Sequence, residues 1–255
     1  MRGRKRSNTV QLVMEKLSKK DILALAASSG DASNCDLAGV DLNGMELIGF
    51  TFDGSNLKGA NLSSSNLSGS SFENCDLSGC NLGSSNFTGV SFRKAILEKT
   101  DLTFSTFVAA DFSEAVLNGA DFTNAKLSAS SFERANLAGV NFQMADAGMV
   151  RCSGAVMPEM HAYGASMIGA DLSGCDLRGA ALHGTDLSNA NLASADLREA
   201  DILDATLIAA DLTNADLRRA RFKRTDLTRA NMKDMKYDEE LTDLISRYAR
   251  ARTPR

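Results

Sequence analysis

From Leu37 to Met232 an apolar side chain falls on every fifth position: Leu37, Leu42, Leu47, Phe52, Leu57, and onward to Leu217, Phe222, Leu227 and Met232, 40 units with no insertion. The apolar character weakens only at Ala147, Cys152 and Ala162. Two residues before each centre stands a small side chain, such as Ala60, Ser65, Cys75 or Ala120. Between the two lies Asp or Asn in most units, and Gly or Ala often closes the unit, as in Ala170-Asp171-Leu172-Ser173-Gly174. In an extended segment residues two apart point the same way, so the small residue and the apolar centre share one side and the Asp or Asn faces the other. A period of five matches neither a helix nor a long alternating strand. Each unit is therefore a short wall that must end in a bend.

A second period sets how many walls complete a turn. Phe52, Phe72, Phe92, Phe112 and Phe132 recur every 20 residues, as do Leu37, Leu57, Leu77, Leu97, Leu117 and Leu137, a series resumed after Met157 at Leu177, Leu197 and Leu217. Four units per coil account for both series and stack like side chains about 4.8 Å apart. About ten coils then make a rod of roughly 48 Å. With aromatics at 6% and no Trp, such a core is filled by Leu, Ala and some Phe.

The units resemble those of the pentapeptide repeat family, written A-(D/N)-L-x-x, over residues 33–232. The resemblance implies an all-β solenoid, a right-handed quadrilateral β-helix, here with short α-helical caps at both termini. The chain divides into a basic tail and helical cap at 1–32, the β-helix at 33–232 with an irregular coil at about 145–164, and a capping helix and tail at 233–255. Val10, Val13, Met14 and Leu17 fall at helical spacing, and Ser18-Lys19-Lys20-Asp21 is a capping box opening a second helical stretch through Ile22, Leu25 and Ala26 to Gly30. At the far end Leu241, Leu244, Ile245 and Tyr248 make an apolar stripe, with Asp238, Glu239 and Glu240 at its start and Arg247, Arg250 and Arg252 at its finish. That helix closes the rod or, as in some family members, joins two chains, so monomer and dimer through the C-terminal end both stay open.

Net charge is −4, unevenly spread: residues 1–32 carry +4, 33–215 carry −13 and 216–255 carry +5. The acids lie on several faces, and their expected work is at the corners, where Asp and Asn bond nearby backbone N–H groups. All five cysteines fall in the inward register, four in small positions and Cys152 at a centre, which suits buried thiols in a reducing, cytoplasmic compartment. No apolar run is long enough to span a membrane, and Arg2, Arg4, Lys5 and Arg6 precede no signal-like apolar stretch.

No phosphate loop, nucleophile elbow or zinc spacing occurs, and Ser and Asp, as repeat positions, are expected to face solvent without a base beside them. The expectation is a non-enzymatic chain without cofactor or metal; its two histidines have no third ligand at evident spacing. Two surface regions depart from the repeat. One is a partner-binding patch, Gln143, Met144, His161, Tyr163 and His183, on the wall built on Phe142, Ala162 and Leu182. The other is a basic C-terminal edge, Arg218, Arg219, Arg221, Lys223 and Arg224, which follows a ladder in which Arg178, Arg198 and Arg218 each come two residues after an Asp. The functional expectation is a rigid protein–protein interaction rod or scaffold, without membrane association or sequence-specific nucleic-acid binding. The resemblance also implies an alternative: a DNA mimic that binds a type II topoisomerase (gyrase) and protects it from quinolones or peptide toxins. Aspartates scattered over several faces, an unbroken repeat and a basic C-terminal end all depart from that picture.

Overall fold

The 20-residue period is the hydrogen-bonding register of the molecule. In the computed structural model, which describes residues 14–250, Asp31 pairs with Thr51, Thr51 with Ser71, Asp36 with Asn56, and so on in steps of 20 to Asp216 with Lys236, all parallel. Each pairing is a single bridge, because only the residues around a centre are extended before the chain turns. Asn56 donates its N–H to the Cys35 carbonyl at 2.9 Å, and Leu37 donates to the Asn56 carbonyl at 2.7 Å. At the corner Val40 donates back to Leu37 at 3.0 Å across Gly39, whose φ of 68° is the left-handed value a type II turn requires at its third position. We number the walls by their centres: wall I on Leu42 and Leu62, wall II on Leu47 and Leu67, wall III on Phe52 and Phe72, wall IV on Leu37 and Leu57.

The centres form the core in columns. On wall III the rings of Phe52, Phe72, Phe92, Phe112 and Phe132 stack at centroid separations of 4.8 to 5.2 Å. A second stack begins on wall II with Phe87 and Phe107 at 5.1 Å and is succeeded on wall I by Phe122 and Phe142 at 5.2 Å. Rings of neighbouring columns meet edge to face, Phe112 with Phe122 at 5.6 Å and 89°. Above Phe142 the rings give way to Ala147, Cys152, Met157 and Ala162, with Met160 and Met167 beside them, all buried. The backbone runs through this coil without a break: Met144 donates to the Tyr163 carbonyl at 3.0 Å and Cys152 to the Asp171 carbonyl at 2.7 Å. Residues 145–164 are thus irregular in side-chain volume and regular in geometry.

The small inward positions do more than leave room. Ser65 is buried, accepts the N–H of Met45 at 3.1 Å and donates to the Leu42 carbonyl at 2.9 Å. Ser85 does the same for Ser65 and Leu62, and Ser105 for Ser85 and Leu82. A hydroxyl from the next coil takes the place of the turn-closing backbone bond. Cys75, Cys80 and Cys175 donate to carbonyls 23 residues earlier, Thr100, Thr185 and Thr225 likewise. Serines therefore divide by register: Ser55, Ser65, Ser70, Ser85, Ser105 and Ser130 are buried in the inward slot, as its small-residue pattern implies, and the reading that repeat serines face solvent does not extend to that slot, which accepts any small side chain whose polar atom finds a carbonyl.

Both ends are covered, the first differently from expectation. Strand β1, Glu15–Lys16, pairs in parallel with β2, Cys35–Asp36, and Leu17 donates to the Asp36 carbonyl at 3.0 Å. The segment around Met14 and Leu17 is thus extended, since the open edge of the first coil offers ladder partners that outweigh a short helical pattern; Val10 and Val13 lie outside the described residues. Helix α1, Lys19–Ala26, opens with the capping box: Ser18 accepts from the Asp21 N–H, and Asp21 accepts from the Ser18 N–H at 2.8 Å. It stops short of the expected Gly30, which sits at φ 65° and donates to the Leu25 carbonyl at 2.9 Å. Ile22 is its buried anchor. In the first coil the small slots hold Val40, Met45 and Phe50, larger residues where no coil lies beneath; Phe50 stacks on Phe52 at 4.7 Å. At the other end a 3₁₀ turn, Glu239–Leu241, leads into α2, Thr242–Arg250, which buries Ile245 and hydrogen-bonds Tyr248 to the Thr225 carbonyl. Arg252 lies outside the described residues.

If the stacked column carries the core, Phe92→Ala lowers stability by about 3–5 kcal/mol, while Thr88→Asp, at an exposed corner of the same coil, stays within about 0.5 kcal/mol. Denaturant midpoints of the two variants check this; equal losses would contradict a four-walled core.

Candidate functional site

The outward chemistry is best read corner by corner, because the two turn residues of each unit project from the rod's edges. Asp and Asn at the position before each centre are occupied by structure. Asp41 accepts the N–H of Asn43 at 3.1 Å, Asp121 that of Thr123 at 2.9 Å, Asp186 that of Ser188 at 2.9 Å and Asn191 that of Ala193 at 3.1 Å. Columns of these residues also bond between coils, as Asn56 to Asp36 and Asn61 to Asp41, both at 3.0 Å.

The basic C-terminal edge is largely consumed in the same way. Arg218 binds Asp216 at 2.6 Å, Arg219 binds Glu199 at 3.2 Å, Arg221 binds Asp201 at 3.1 Å, and Arg224 pairs with Asp204. Of the five residues expected there, four meet an acid of their own or the preceding coil, so the edge fastens the last coil; Lys223 has no ion pair among the described residues. On wall IV Arg178 and Arg198 bind Asp176 and Asp196 at 2.7 and 2.6 Å, and Arg178 also reaches Asp196 at 3.8 Å. With Pro158, Glu159, Gly179 and Glu199 these arginines line an open hollow of about 320 Å³, the Nε and Nη2 of each already bonded to its aspartate.

The partner patch resolves into an edge. Gln143, Met144, Tyr163 and His183 are turn residues at the corner between walls I and II; His161 alone lies on the flat of wall I. Tyr163 and His183 stack at 5.4 Å and 18°, and His183 reaches Asp204 at 3.6 Å. The Met144 sulfur lies over Gly164, where a Cβ would come within 2.8 Å of it and displace that flexible side chain. Among the described residues no cluster of three or more His, Cys, Asp or Glu could hold a metal ion.

To Met144 and Tyr163 of that patch the structure adds Phe104, Met149 and Ile168. Phe104, Met144, Met149 and Tyr163 each keep more than half of their surface exposed, and Ile168 keeps 43%. All five stand on the two edges of wall II: Phe104, Met144 and Tyr163 at the corner it shares with wall I, Met149 and Ile168 at the corner it shares with wall III. From 43 to 203 on one side and from 48 to 228 on the other neither corner carries Lys, Arg, Asp or Glu; charge returns only in the last coils, with Asp204, Lys223 and Arg224 on the first corner and Arg229 on the second. The remaining corners carry many, among them Arg93, Lys94, Glu133 and Arg134 on one and Glu98, Lys99, Arg178 and Glu199 on the other. Reading the turn positions, rather than the centres, at a period of 20 is the signal that finds this wall in the sequence.

The thiols are structural. Burial pushes Cys75, Cys80 and Cys175 up to about 12 and raises Cys152 well above the usual thiol value. Cys35 is also raised by burial but is only half-buried, since β1 covers it from one side.

With this geometry described, comparison with known proteins identifies the class. The pentapeptide repeat region model matches residues 33–102 and 66–145, and the pentapeptide repeats (8 copies) model matches segments from 150 to 235. The chain belongs to the pentapeptide repeat family, and its fold is the right-handed quadrilateral β-helix. Among solved structures it is similar to HetL, a pentapeptide repeat protein involved in heterocyst differentiation regulation in the cyanobacterium Nostoc sp. strain PCC 7120, with 27% identity, 86% of this chain and 94% of HetL covered, and a TM-score of 0.49. It is also similar to QnrB1, a plasmid-mediated fluoroquinolone resistance protein, with 19% identity, 80% and 97% covered, and a TM-score of 0.40. A pentapeptide repeat protein of the Arabidopsis thaliana thylakoid lumen shares 24% identity over 44% of this chain and 75% of its own, with a TM-score of 0.27. No curated protein matches the chain. Among the described residues no helix is long and apolar enough to cross a membrane.

The arginine ladder makes a pH prediction. Asp176, Asp196 and Asp216 are held below the ordinary carboxylate range, chiefly by the side-chain hydrogen bonds of Arg178, Arg198 and Arg218. A lowered folded-state value means that the stabilisation is complete above about pH 4 and is lost as pH falls through the lowered values. The triple variant Arg178→Gln, Arg198→Gln, Arg218→Gln should melt below the parent at pH 7, with the gap closing in acid and in high salt. A gap that persists unchanged at pH 2 would refute the ion-pair origin.

Proposed function

We propose that this chain is a non-enzymatic protein-binding rod whose docking surface is wall II with its two corners, uncharged over all but the last coils. The observation that carries the reading is the concentration of exposed Phe104, Met144, Met149, Tyr163 and Ile168 along the wall whose edges stay free of charge as far as residues 203 and 228. Exposed apolar and aromatic groups gathered on one face mark association surfaces, and aromatic residues and Met are enriched there. Stacked coils hold the surface in place before a partner arrives, which reduces the ordering cost of binding. Buried, high-pKa thiols suit the reducing compartment expected for the protein.

The gyrase-binding DNA mimic that the family resemblance implies presents an acidic surface. Here the aspartates are distributed over several walls, accept backbone N–H groups of their own turns and, toward the C-terminal end, pair with arginines. These features favour the protein-docking wall over nucleic-acid mimicry. Accordingly, micromolar protein should leave quinolone inhibition of gyrase supercoiling unchanged; clear protection would replace the reading.

For the wall itself, Tyr163→Ala with His183→Ala should abolish capture of native partner proteins at unchanged melting temperature, since one lost interface anchor typically costs more than about 1 kcal/mol. Asp101→Asn with Asp121→Asn, on wall I, keeps the corner acceptors and should leave capture intact. Equal yields from both pairs would remove the corner from the site.

A further inference from the structure

Wall II carries more information than its apolar edges. Its flat is a single column of bridged residues, in which Thr106, Lys126, Asp146, Ser166, Asp186 and Thr206 follow one another at successive coils. Asp146 accepts from the Ser128 hydroxyl and the Gly148 N–H, and Asp186 from the Ser188 N–H, all through one carboxylate oxygen. Neither has an ion pair among the described residues, whereas Asp176, Asp196, Asp201 and Asp216 on the other walls, and Asp204 farther along the wall I–II corner, are paired with basic side chains. The two carboxylates are two coils apart, about 10 Å. From 143 to 189 the turn residues beside them are uncharged, so a partner lying from Asp146 toward Asp186 meets two carboxylates without an ion pair framed by apolar edges, with Lys126 one coil beyond Asp146 on the other side.

The apolar edges also cost the fold something. Phe104, Met144 and Met149 occupy corner positions at φ 57°, 57° and 55°, a conformation that glycine adopts freely and side chains adopt at a cost. The same positions hold Gly44, Gly164 and Gly184 at one corner and Gly49, Gly69, Gly89 and Gly169 at the other. A bulky apolar side chain there gains no burial from the fold. Its gain comes when something covers it.

Resting on the protein-binding reading of this wall, we infer that its occupant is an amphipathic α-helix of a partner protein, lying along the rod, with apolar residues over Met144, Met149, Tyr163 and Ile168 and two basic side chains one heptad apart over Asp146 and Asp186. A helix rises about 1.5 Å per residue, so positions seven apart are about 10.5 Å apart on one face, close to the spacing of the two carboxylates. A helix about 10–12 Å wide can touch both corner rows at once, as in other grooves that receive a helix. The uncharged edges let apolar partner residues approach, and the central acids set the charge the helix must bring.

The probe is a displayed library of 16-residue helical peptides with one randomised face, selected on the full-length protein. Enriched peptides should carry Lys or Arg at i and i+7 flanked by apolar residues. They should bind Asp146→Asn with Asp186→Asn, which keeps both turn acceptors, at least tenfold more weakly, and should lose binding to Ile168→Glu; melting curves confirm that both variants fold. Enriched peptides that are acidic, or that bind either variant as well as the parent, or a library that yields no binder dependent on wall II, would overturn the helix. The broader reading is separated by native partner capture. Capture that survives Asp146→Asn with Asp186→Asn but is lost in Tyr163→Ala with His183→Ala sinks the basic-helix occupant and keeps the docking wall; capture that survives both sinks the wall as well.

Discussion

Everything in this molecule depends on the parallel hydrogen bonds that join each residue near a centre to its counterpart 20 positions on. The ladder runs along the rod rather than across a sheet, so a side chain's neighbours above and below are set by number alone. Two of every five positions point inward, and both must satisfy the residue stacked on them. That explains why bulk is passed between columns: phenylalanines occupy wall III throughout the first half, with wall II and then wall I sharing the load, before Leu, Met and Ala fill the later coils. Close packing tolerates such a change when total volume is kept.

The same ladder makes polar groups cheap in the core. A buried hydroxyl at Ser85 or Ser105 lies beside a turn of the preceding coil, with a carbonyl and an N–H in reach. Cysteine and threonine complete the same contact with the carbonyl, so Cys75 and Thr100 are members of one structural class. Reactive chemistry is correspondingly absent from these thiols and hydroxyls, whose donors are spent within the rod.

The two periods made the architecture legible before any coordinates: the five-residue repeat showed which side chains point inward, and Phe52 through Phe132 showed four walls to a coil. Legibility ended where the ladder ends. Met14 and Leu17 have helical spacing, but the exposed edge of the first coil recruits Glu15 and Lys16 as strand, a non-local pairing that local pattern cannot reveal. The basic run at Arg218 to Arg224 looked like an offered charge because the acids that meet it, Glu199, Asp201 and Asp204, lie 20 residues back. Gln143, Met144, Tyr163 and His183 were visible as unusual residues, yet Phe104, Met149 and Ile168 escaped attention. Their common wall appears only when the turn positions are aligned by coil.

The account's central claim is that 20 residues make one interchangeable layer and that column identity, beyond the five-residue pattern, holds the core. Thermal melting of two internal deletions tests it. Removing residues 107–126 takes out one coil and returns every later centre to its own column, so this variant should fold and melt within a few degrees of the parent. Removing residues 107–111 preserves the five-residue pattern but moves every later unit back to the preceding wall, which sets Leu117 above Phe92 and breaks the wall III stack. That variant should melt far lower or fail to fold. Equal melting temperatures for the two deletions would contradict the account.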